Sequence, residues 1–297
     1  MEEALLLRRI REEFPNVTWT SHRYLTHGWD HAVLILDEAL VFRAPRTQAY
    51  RDALANEARL LRHLQPRVAV GVPDYVYQSA DGSFAGYGLL AGRELDAATF
   101  GRLSETARER IAEQLAAFLT AVHETPKSVA RERGVSEQDP RKDHEDLVRD
   151  LETLVLPRLA SHEVAVVRTF LTELAAEVKS TRPTALVHGD LAGEHILWDA
   201  DRRQVNIIDF SDRSIGDPAL DFAGLLANGQ QFAQRVVDRY RGPKDERWLW
   251  RARLYFRRTA LETMVHALQG YPCTFEEGYA EFRARFPVKR ILDSRSF

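Results

Sequence analysis

A change in the spacing of apolar residues near residue 90 is the strongest constraint on the fold of this chain. Before that point, short apolar runs such as residues 32–36 and 39–42 alternate with turn residues, which is typical of an antiparallel sheet. Apolar residues recur at helical spacing in residues 48–64, 105–123, about 143–158 and 162–180. The sequence therefore predicts an α+β chain, with a small antiparallel β-rich N-terminal lobe over residues 1–90 and a larger, mainly helical C-terminal lobe over residues 91–297.

The charge balance and the single cysteine limit the partners and the compartment that we expect. The chain has 41 basic and 44 acidic residues, so bulk positive charge cannot hold it to nucleic acid. Cys273 is the only cysteine, which excludes an internal disulfide and fits a reducing cytosol. No segment approaches the roughly 18 apolar residues of a membrane span. We expect a soluble cytoplasmic monomer without nucleic-acid or membrane partners.

Two segments of the helical part contrast with their surroundings. Residues 126–143 are polar and charged, and we expect them to form a mobile insert. Residues 185–208 contain short strand-like runs with polar residues at their ends. Such ends expose side chains that the strands hold rigidly, so this is where we expect the chemistry of the chain.

The polar residues of this strand-like region are spaced as in a phosphoryl-transfer site. Residues 188–197 read HGDLAGEHIL, and residues 207–211 read IIDFS. The interval from Asp190 to His195 is that from base to metal ligand in the protein-kinase catalytic loop His-Arg-Asp-x-x-x-x-Asn. Asp209 then takes the place of the metal-binding aspartate of Asp-Phe-Gly. Phosphoryl transfer needs a carboxylate to orient and deprotonate the acceptor hydroxyl, which suits Asp190. Mg²⁺ prefers carboxylate oxygens, which suits Asp209, whereas the imidazole of His195 is a softer ligand.

Further segments in the same order resemble the aminoglycoside phosphotransferase family, whose members are small-molecule kinases with a bilobal, protein-kinase-like fold. The similar segments are residues 28–31 (GWDH), 41–46 (VFRAPR), 56–58 (NEA), 84–92 (FAGYGLLAG) and 217–222 (DPALDF). The resemblance extends from about residue 20 to about residue 225. Histidine at position 195 instead of asparagine makes the chain most similar to the aminoglycoside 2''-phosphotransferases and, next, to the macrolide phosphotransferases.

The resemblance implies a nucleotide site and a metal site. The implied nucleotide-binding residues are Gly28, Asp30, Arg43, Glu57, Gly88, Leu90 and Ile208. Arg43 takes the place of the family's nucleotide-binding lysine, and an arginine stays charged and can donate two hydrogen bonds to one phosphate. Glu57 is its implied ion-pair partner. His195 and Asp209 would hold Mg²⁺, and the phosphoryl donor would be GTP or ATP.

The acceptor is less well defined by the sequence. Aminoglycosides are polycations that attract carboxylates, and the candidate acceptor-binding residues are Asp190, Asp212, Glu276 and Glu277. An aminoglycoside-like antibiotic or amino sugar is therefore the first expectation. However, residues 223–231 contain no acidic residue. This favours the alternative of a macrolide or another neutral or monocationic hydroxyl compound.

A third hypothesis belongs to a different class of function. The same histidines and aspartates could form a metal-dependent hydrolase, or the chain could bind a nucleotide without turnover. A hydrolase should carry a second His/Asp cluster, which the sequence lacks. A binder would be expected to lose Asp190 or Asp209, and both are present. We therefore expect an enzyme that moves the γ-phosphate of GTP or ATP to a small-molecule hydroxyl.

Overall fold

A five-stranded antiparallel sheet occupies the N-terminal part of the chain. The computed structural model describes residues 1–26 and 30–286. The sheet strands are β1 (His22–Leu25), β2 (His31–Leu36), β3 (Leu40–Pro45), β4 (Tyr77–Gln78) and β5 (Ala85–Gly88), and their spatial order is β1-β2-β3-β5-β4. Asp37 and Glu38 join β2 to β3 with φ angles of 47° and 49°. Positive φ at both central residues is the geometry of a tight hairpin turn, as the sequence indicated.

Helix α1 (Glu3–Glu13) covers one face of this sheet. Leu6 and Ile10 are fully buried and belong to one apolar cluster with the strand residues Leu34, Leu36, Phe42 and Ala44 and the loop residue Phe84. Arg9 fixes the helix at its polar edge, because its guanidinium donates to Glu13, Asp81 and Ser83. The α1 periodicity therefore buries an apolar stripe and leaves the charged residues outside.

Helix α2 (Gln48–Leu64) is held to the sheet by a buried ion pair. Arg43 of β3 and Glu57 of α2 are only 7% and 1% exposed, and Arg43 Nη1 donates to Glu57 Oε1 at 2.9 Å. The Tyr75 hydroxyl donates to the same oxygen at 2.7 Å and accepts from Arg43 Nη1 at 3.0 Å. His31 of β2 accepts from Arg43 Nη2 through Nδ1 at 3.1 Å. One guanidinium group thus joins β2, β3, α2 and the segment that precedes β4.

The remainder of the described chain is mainly helical. In chain order its elements are β6 (Arg93–Glu94), α3 (Ala97–Arg102), α4 (Glu105–His123), α5 (Lys127–Glu132), α6 (Pro140–Asp150), α7 (Ser161–Ser180), β7 (Ala185–Val187), β8 (Ile196–Asp199), β9 (Gln204–Ile207), β10 (Ser214–Gly216), α8 (Leu220–Ala223), α9 (Gln230–Arg239), α10 (Trp248–Leu268) and α11 (Phe275–Arg285). Short 3₁₀ or π turns occupy Gln65–Arg67, Leu151–Val155, Leu156–Arg158, Gly193–His195 and Gly224–Asn228. The predicted α+β class and the antiparallel sheet of the first ninety residues are confirmed. The helices predicted over residues 48–64 and 105–123 are found at those bounds.

The chain divides into two units. The first consists of Met1–Gln138 and Pro183–Leu249, and it includes the five-stranded sheet, a three-stranded sheet in the order β6-β8-β9 and the pair β7-β10. The second consists of Asp139–Arg182 and Trp250–Phe297. Within the second unit, Glu163 near the start of α7 accepts from the Ala160 backbone N–H at 2.9 Å and from the Tyr279 hydroxyl of α11 at 2.7 Å. This carboxylate therefore joins two helices.

The polar segment over residues 126–143, predicted as a mobile insert, contains helical structure. It forms α5 and the start of α6, and Ala130 and Val135 are buried. Ser136 also accepts a backbone hydrogen bond from Ile215 of β10 at 2.8 Å. These two buried apolar residues and this backbone hydrogen bond hold the segment in place. Two apolar residues are too few to give the sequence a recognisable helical spacing. Every described helix is too short or too polar to cross a bilayer.

Acid should destabilise the protein through His31. Burial, followed by the charge of Arg43, lowers the pKa of His31 to about 3. Below pH 6.5, His31 is protonated in the unfolded chain but stays neutral in the folded chain. The free energy of unfolding therefore falls as the pH falls towards 3. Between pH 7 and pH 5 this amounts to about 2 kcal/mol of unfolding free energy.

Urea denaturation at both pH values measures this loss. His31→Asn keeps an acceptor for Arg43 but does not titrate, so the variant should lose about 2 kcal/mol less than the wild type over the same interval. Equal losses in the two proteins would show that His31 does not carry this pH dependence.

Candidate active site

The loop over residues 188–195 follows β7 directly and is hydrogen-bonded to the residue that follows β9. His188 is fully buried, and its Nε2–H donates to the Ile208 carbonyl at 3.0 Å. Its Nδ1 accepts from the Asp190 backbone N–H at 3.3 Å. The two bonds fix the tautomer of His188 and tie the 188–195 loop to the loop over residues 208–213.

The buried carboxylate of Asp221 holds the first turn of the 188–195 loop through backbone hydrogen bonds. Asp221 is fully buried and accepts from the backbone N–H groups of His188 at 2.8 Å and Gly189 at 2.9 Å. His123 of α4 donates to it through Nε2 at 2.9 Å, and the Tyr240 hydroxyl lies 2.7 Å from His123 Nδ1. Burial raises the pKa of Asp221, but the hydrogen bond and charge of His123 outweigh it and hold the pKa below its usual value. His123 was not among the predicted residues because nothing in the α4 pattern shows which polar residue faces a partner.

The two loops approach each other at Gly189. This residue has a φ of +92°, and a Cβ atom there would lie 2.2 Å from the Asp212 carbonyl oxygen. Only glycine fits such a close approach of two backbones. The side chains that follow on each loop are therefore held within a few ångströms of one another.

Asp190, His195 and Asp209, predicted as base and metal ligands, are brought together in this way. His195 Nδ1–H donates to the Asp190 carbonyl at 2.8 Å and lies 3.4 Å from Asp190 Oδ2. The other ring nitrogen, Nε2, lies 3.9 Å from Asp209 Oδ2. Because Nδ1 carries a hydrogen, Nε2 is the nitrogen whose lone pair can face a metal ion when the ring is neutral.

The pKa values of these residues are shifted in different directions. Partial desolvation of its half-exposed side chain is the largest cause of a raised pKa at Asp190. Burial lowers the pKa of His195, but the charge of Asp190, the hydrogen bond to the Asp190 backbone and the charge of Asp209 together outweigh burial, so the net shift is upward. Burial raises the pKa of Asp209, yet the charges of Arg43 and His195 bring it far below its usual range. Asp209 is therefore always ionised, which suits a cation ligand.

Arg43 joins the sheet to the 208–213 loop. Its Nη2 donates to Ser211 Oγ at 3.0 Å and lies 3.4 Å from Asp209 Oδ1. Asp209 has a φ of +59°, a left-handed conformation that costs a non-glycine residue about 1–3 kcal/mol and persists only where neighbours enforce it. Arg213 lies at the end of the same loop, and its Nη1 is 3.6 Å from Glu57 Oε2. The Glu57 carboxylate therefore forms ion pairs with two arginines.

Negative charge accumulates around this point. Burial, then the charges of Asp190, Asp209 and Asp30, raise the pKa of Asp212 to about 6. Burial is also the largest cause of the raised pKa of Asp30. Four carboxyl groups in one electrostatic neighbourhood favour a bound cation.

The other predicted residues are distributed as follows. Gly88 ends β5 opposite Leu40, and Leu90 lies two residues further on. Ile208 donates its backbone N–H to the His195 carbonyl at 3.0 Å. Gly28 lies outside the described residues. Glu276 and Glu277 belong to the second unit, where Glu277 caps α11 by accepting from the Thr274 backbone N–H at 2.8 Å.

The donor set of Asp209 and His195 fits a Mg²⁺ ion that arrives with a phosphate ligand. Among the described residues, no three His, Cys, Asp or Glu side chains are arranged to hold a metal. Mg²⁺ is usually bound by one or two carboxylates, keeps several waters and shares the oxygens of a substrate phosphate. Asp209 supplies such a carboxylate, and His195 Nε2, 3.9 Å from Asp209 Oδ2, adds a nitrogen that is a softer ligand than the oxygens Mg²⁺ prefers.

Solved structures similar to this chain are antibiotic kinases. The GDP and kanamycin complex of APH(2'')-IIIa has a TM-score of 0.84 and 26% identity, and the match covers 95% of this chain and 98% of that one. The gentamicin complex of APH(2'')-IIa has a TM-score of 0.72 at 21% identity, covering 95% and 96% of the two chains. A macrolide 2'-phosphotransferase from Brachybacterium faecium has a TM-score of 0.68 at 20% identity, covering 97% and 99%. The last two likenesses concern the fold alone.

The sequence comparisons agree with the structural ones. Viomycin phosphotransferase of Streptomyces vinaceus is 41% identical over 58 residues, which are 18% of this chain and 20% of the relative. The match thus spans about a fifth of that curated relative's length. Residues 21–256, most of the chain, match the model of the phosphotransferase enzyme family. This chain therefore belongs to the phosphotransferase enzyme family.

Proposed function

We propose that this chain transfers the γ-phosphate of a nucleoside triphosphate to a hydroxyl group of a small antibiotic-like molecule. The observation that carries the proposal is the meeting of Asp190, His195 and Asp209 on two loops that are locked together. The three side chains are linked by contacts of 3.4 Å and 3.9 Å. Family membership supports the reaction class, and the chemistry of these three residues supports the assignment of roles.

Asp190 is the proposed general base. Its carboxylate is 49% exposed, so an acceptor hydroxyl can reach it, while the backbone that carries it is fixed by His188 and Asp221. It orients the hydroxyl and accepts its proton as that oxygen attacks phosphorus. Asp209 and His195 would hold Mg²⁺, which supplies charge neutralisation on the phosphates when bound.

The proposed nucleotide site lies on the sheet side of these loops. Gly88 and Leu90 would offer backbone groups to the base, and Asp30 follows the predicted phosphate turn at Gly28. Arg43 and Glu57, with Ile208, complete the predicted set. Relatives of known structure are complexes with GDP, with ATP and with ADP, which keeps both GTP and ATP as candidate donors.

An aminoglycoside-like amino sugar is the first proposed acceptor class. Asp212 lies in the same electrostatic neighbourhood as Asp190, Asp209 and Asp30, and such a concentration of carboxyl groups attracts ammonium groups. The kanamycin complex of a relative of 26% identity supports the same class. Glu276 and Glu277 remain predicted contributors to acceptor binding.

A neutral or monocationic acceptor, such as a macrolide, is the second candidate. One groove of about 470 Å³ in the first unit is lined by the amides of Asn228, Gln230 and Gln231 and by Arg108 and Arg235. The described residues that line this groove include no carboxylate. A polycation would gain less from these lining residues than from carboxylates.

A coupled assay of nucleoside diphosphate release tests the function. GTP and ATP with Mg²⁺ should be offered with kanamycin, gentamicin, streptomycin, viomycin and a macrolide. Release stimulated by an aminoglycoside supports the first acceptor class, and release stimulated by the macrolide alone supports the second. Failure to bind either nucleotide would contradict the kinase assignment itself.

Replacing Asp190 should abolish most of the turnover. Asp190→Asn keeps the size of the side chain but cannot accept the proton, so kcat should fall by about 10²–10⁴-fold while nucleotide affinity is kept. Steady-state kinetics and calorimetric titration with the nucleoside diphosphate measure the two quantities. Asp238→Asn, the same chemical change at an exposed position of α9, is the control. Near-native turnover of Asp190→Asn would rule out the base assignment.

Replacing Asp209 should affect binding only when Mg²⁺ is present. Asp209→Asn removes a charged oxygen ligand, so affinity for the diphosphate should fall by about 10-fold or more in Mg²⁺ and change little in EDTA. Calorimetric titration under both conditions measures this. Equal affinity of variant and wild type in Mg²⁺ would remove Asp209 from the metal site.

A further inference from the structure

Asn206 of β9 is a buried polar residue to which the proposed reaction gives no role. It is only 5% exposed, and its Nδ2 donates to the Ala91 carbonyl at 2.6 Å. Ala91 directly follows Leu90, one of the residues predicted to offer backbone groups to the nucleotide base. The amide of Asn206 therefore holds the chain next to the proposed nucleotide site.

Hydrogen bonds of its two neighbours fix the position of Leu90. On one side, the Leu89 backbone N–H donates to the Ala39 carbonyl at 2.7 Å. On the other side, the Ala91 carbonyl accepts from Asn206. In the described part of the chain, the backbone N–H and carbonyl of Leu90 itself take part in no hydrogen bond. A backbone that is ordered before a ligand arrives loses little conformational freedom when it binds that ligand.

The strand that carries Asn206 is a firm support for this bond. Gln114 of α4 accepts from the Val205 backbone N–H at 2.9 Å through Oε1, and its Nε2 donates to the Arg203 carbonyl at 3.0 Å. Asn206 also pairs with Leu197 in the antiparallel ladder of β8 and β9. The position of Ala91 is thus set, through one side-chain amide, by a strand that α4 and β8 hold in place.

Gly71 leaves the space that the Asn206 amide occupies. The Gly71 N–H donates to the Val205 carbonyl at 3.0 Å, and the Gly71 carbonyl accepts from the Ile207 N–H at 2.8 Å. A Cβ atom at position 71 would overlap with Asn206 Oδ1 and would lie 3.5 Å from Leu90 Cδ2. Even one added methyl group would therefore push the amide out of its place. The segment around Gly71, the side chain of Asn206 and the chain at Leu90 are packed against one another.

We propose that Asn206 is a positioning residue for the base of the nucleotide, and that it acts through the backbone of Leu90. The inference rests on the phosphoryl-transfer function proposed above. Without the hydrogen bond from Asn206, the Ala91 carbonyl is free to rotate. The carbonyl of Leu90 moves with it, because this carbonyl and the Ala91 N–H share one peptide unit. The base should then bind less tightly, while the groups that bind the phosphates keep their positions.

The test separates the base of the nucleotide from its phosphates. GDP and ADP carry both, whereas Mg²⁺-tripolyphosphate carries phosphates alone. Calorimetric titration gives the affinity for each diphosphate, and displacement of the diphosphate gives the affinity for tripolyphosphate. In Asn206→Ala, the affinity for the diphosphate should fall about 10-fold, as expected when one backbone hydrogen bond to the base is misplaced. The affinity for tripolyphosphate should stay at the wild-type value. Should Asn206→Ala fail to fold in a thermal melt, Asn206→Ser takes its place.

Gly71→Ala displaces the same amide without deleting it. The single variant should lose about as much diphosphate affinity as Asn206→Ala. Adding Gly71→Ala to Asn206→Ala should cause little further loss, because no amide remains to be displaced. Additive losses in the double variant would overturn the role assigned to the Asn206 amide.

Asn228→Ala is the matched control for diphosphate affinity. Asn228 Nδ2 donates to the Leu95 carbonyl at 3.1 Å, so the truncation removes the same kind of bond from the segment that follows Ala91. Diphosphate affinity should stay at the wild-type value in this variant. An equal loss in Asn228→Ala and Asn206→Ala would overturn the specific role of Asn206.

Two further outcomes concern Asn206→Ala itself. Unchanged diphosphate affinity would overturn the inference alone. Equal losses of diphosphate and tripolyphosphate affinity would also overturn it, because they would show an effect on the phosphate side of the site. A wild-type protein that binds neither diphosphate would overturn the proposed function together with the inference.

Discussion

The buried charge of Arg43 is the constraint on which the arrangement of this site depends. Removing a guanidinium from water costs several kcal/mol unless charge and hydrogen bonds compensate it. Glu57 supplies the charge, and His31, Tyr75 and Ser211 supply the remaining acceptors. Because these acceptors come from a strand, a helix and two loops, the position of each is fixed by the same guanidinium. A catalytic geometry is thus tied to a requirement of folding.

A second buried charge, that of Asp221, fixes the position of the 188–195 loop. Asp221 accepts two backbone N–H groups of the 188–195 loop and one hydrogen from His123. Arg43 fixes the side that carries Asp209, and Asp221 fixes the side that carries Asp190. The loops meet where Gly189 passes the Asp212 carbonyl, a contact that no residue with a Cβ could make. The separation of the proposed base from the proposed metal ligand therefore follows from two buried ionic groups and one glycine.

Local pattern predicted the elements of this fold and selected the residues proposed to react, but it did not predict the contacts that support those residues. The α2 and α4 periods are repeated over many residues, and the spacing from Asp190 to His195 is a property of a few neighbouring residues. His123 and Asp221 are 98 positions apart, and Arg43 and Ser211 are 168 apart. No period or motif links such positions, because the contact exists only after the chain has packed. The helical structure of the α5 segment was not predicted for a related reason, because its buried apolar residues, Ala130 and Val135, are too few to form a pattern.

The charge distribution makes the two proposed cations compete. Asp30, Asp190, Asp209 and Asp212 share one field, as the raised pKa of Asp212 indicates. A Mg²⁺ ion at Asp209 by itself reduces the negative potential at Asp212 and so lowers what an ammonium group of an acceptor gains there, whereas the phosphates that arrive with the metal add negative charge. By reciprocity, a bound ammonium group weakens the hold on the metal to the same extent. A neutral acceptor escapes this penalty. The metal and an ammonium group of a polycation therefore act on the same carboxylates, whereas a neutral acceptor is insensitive to both, and this is the physical difference between the two acceptor classes.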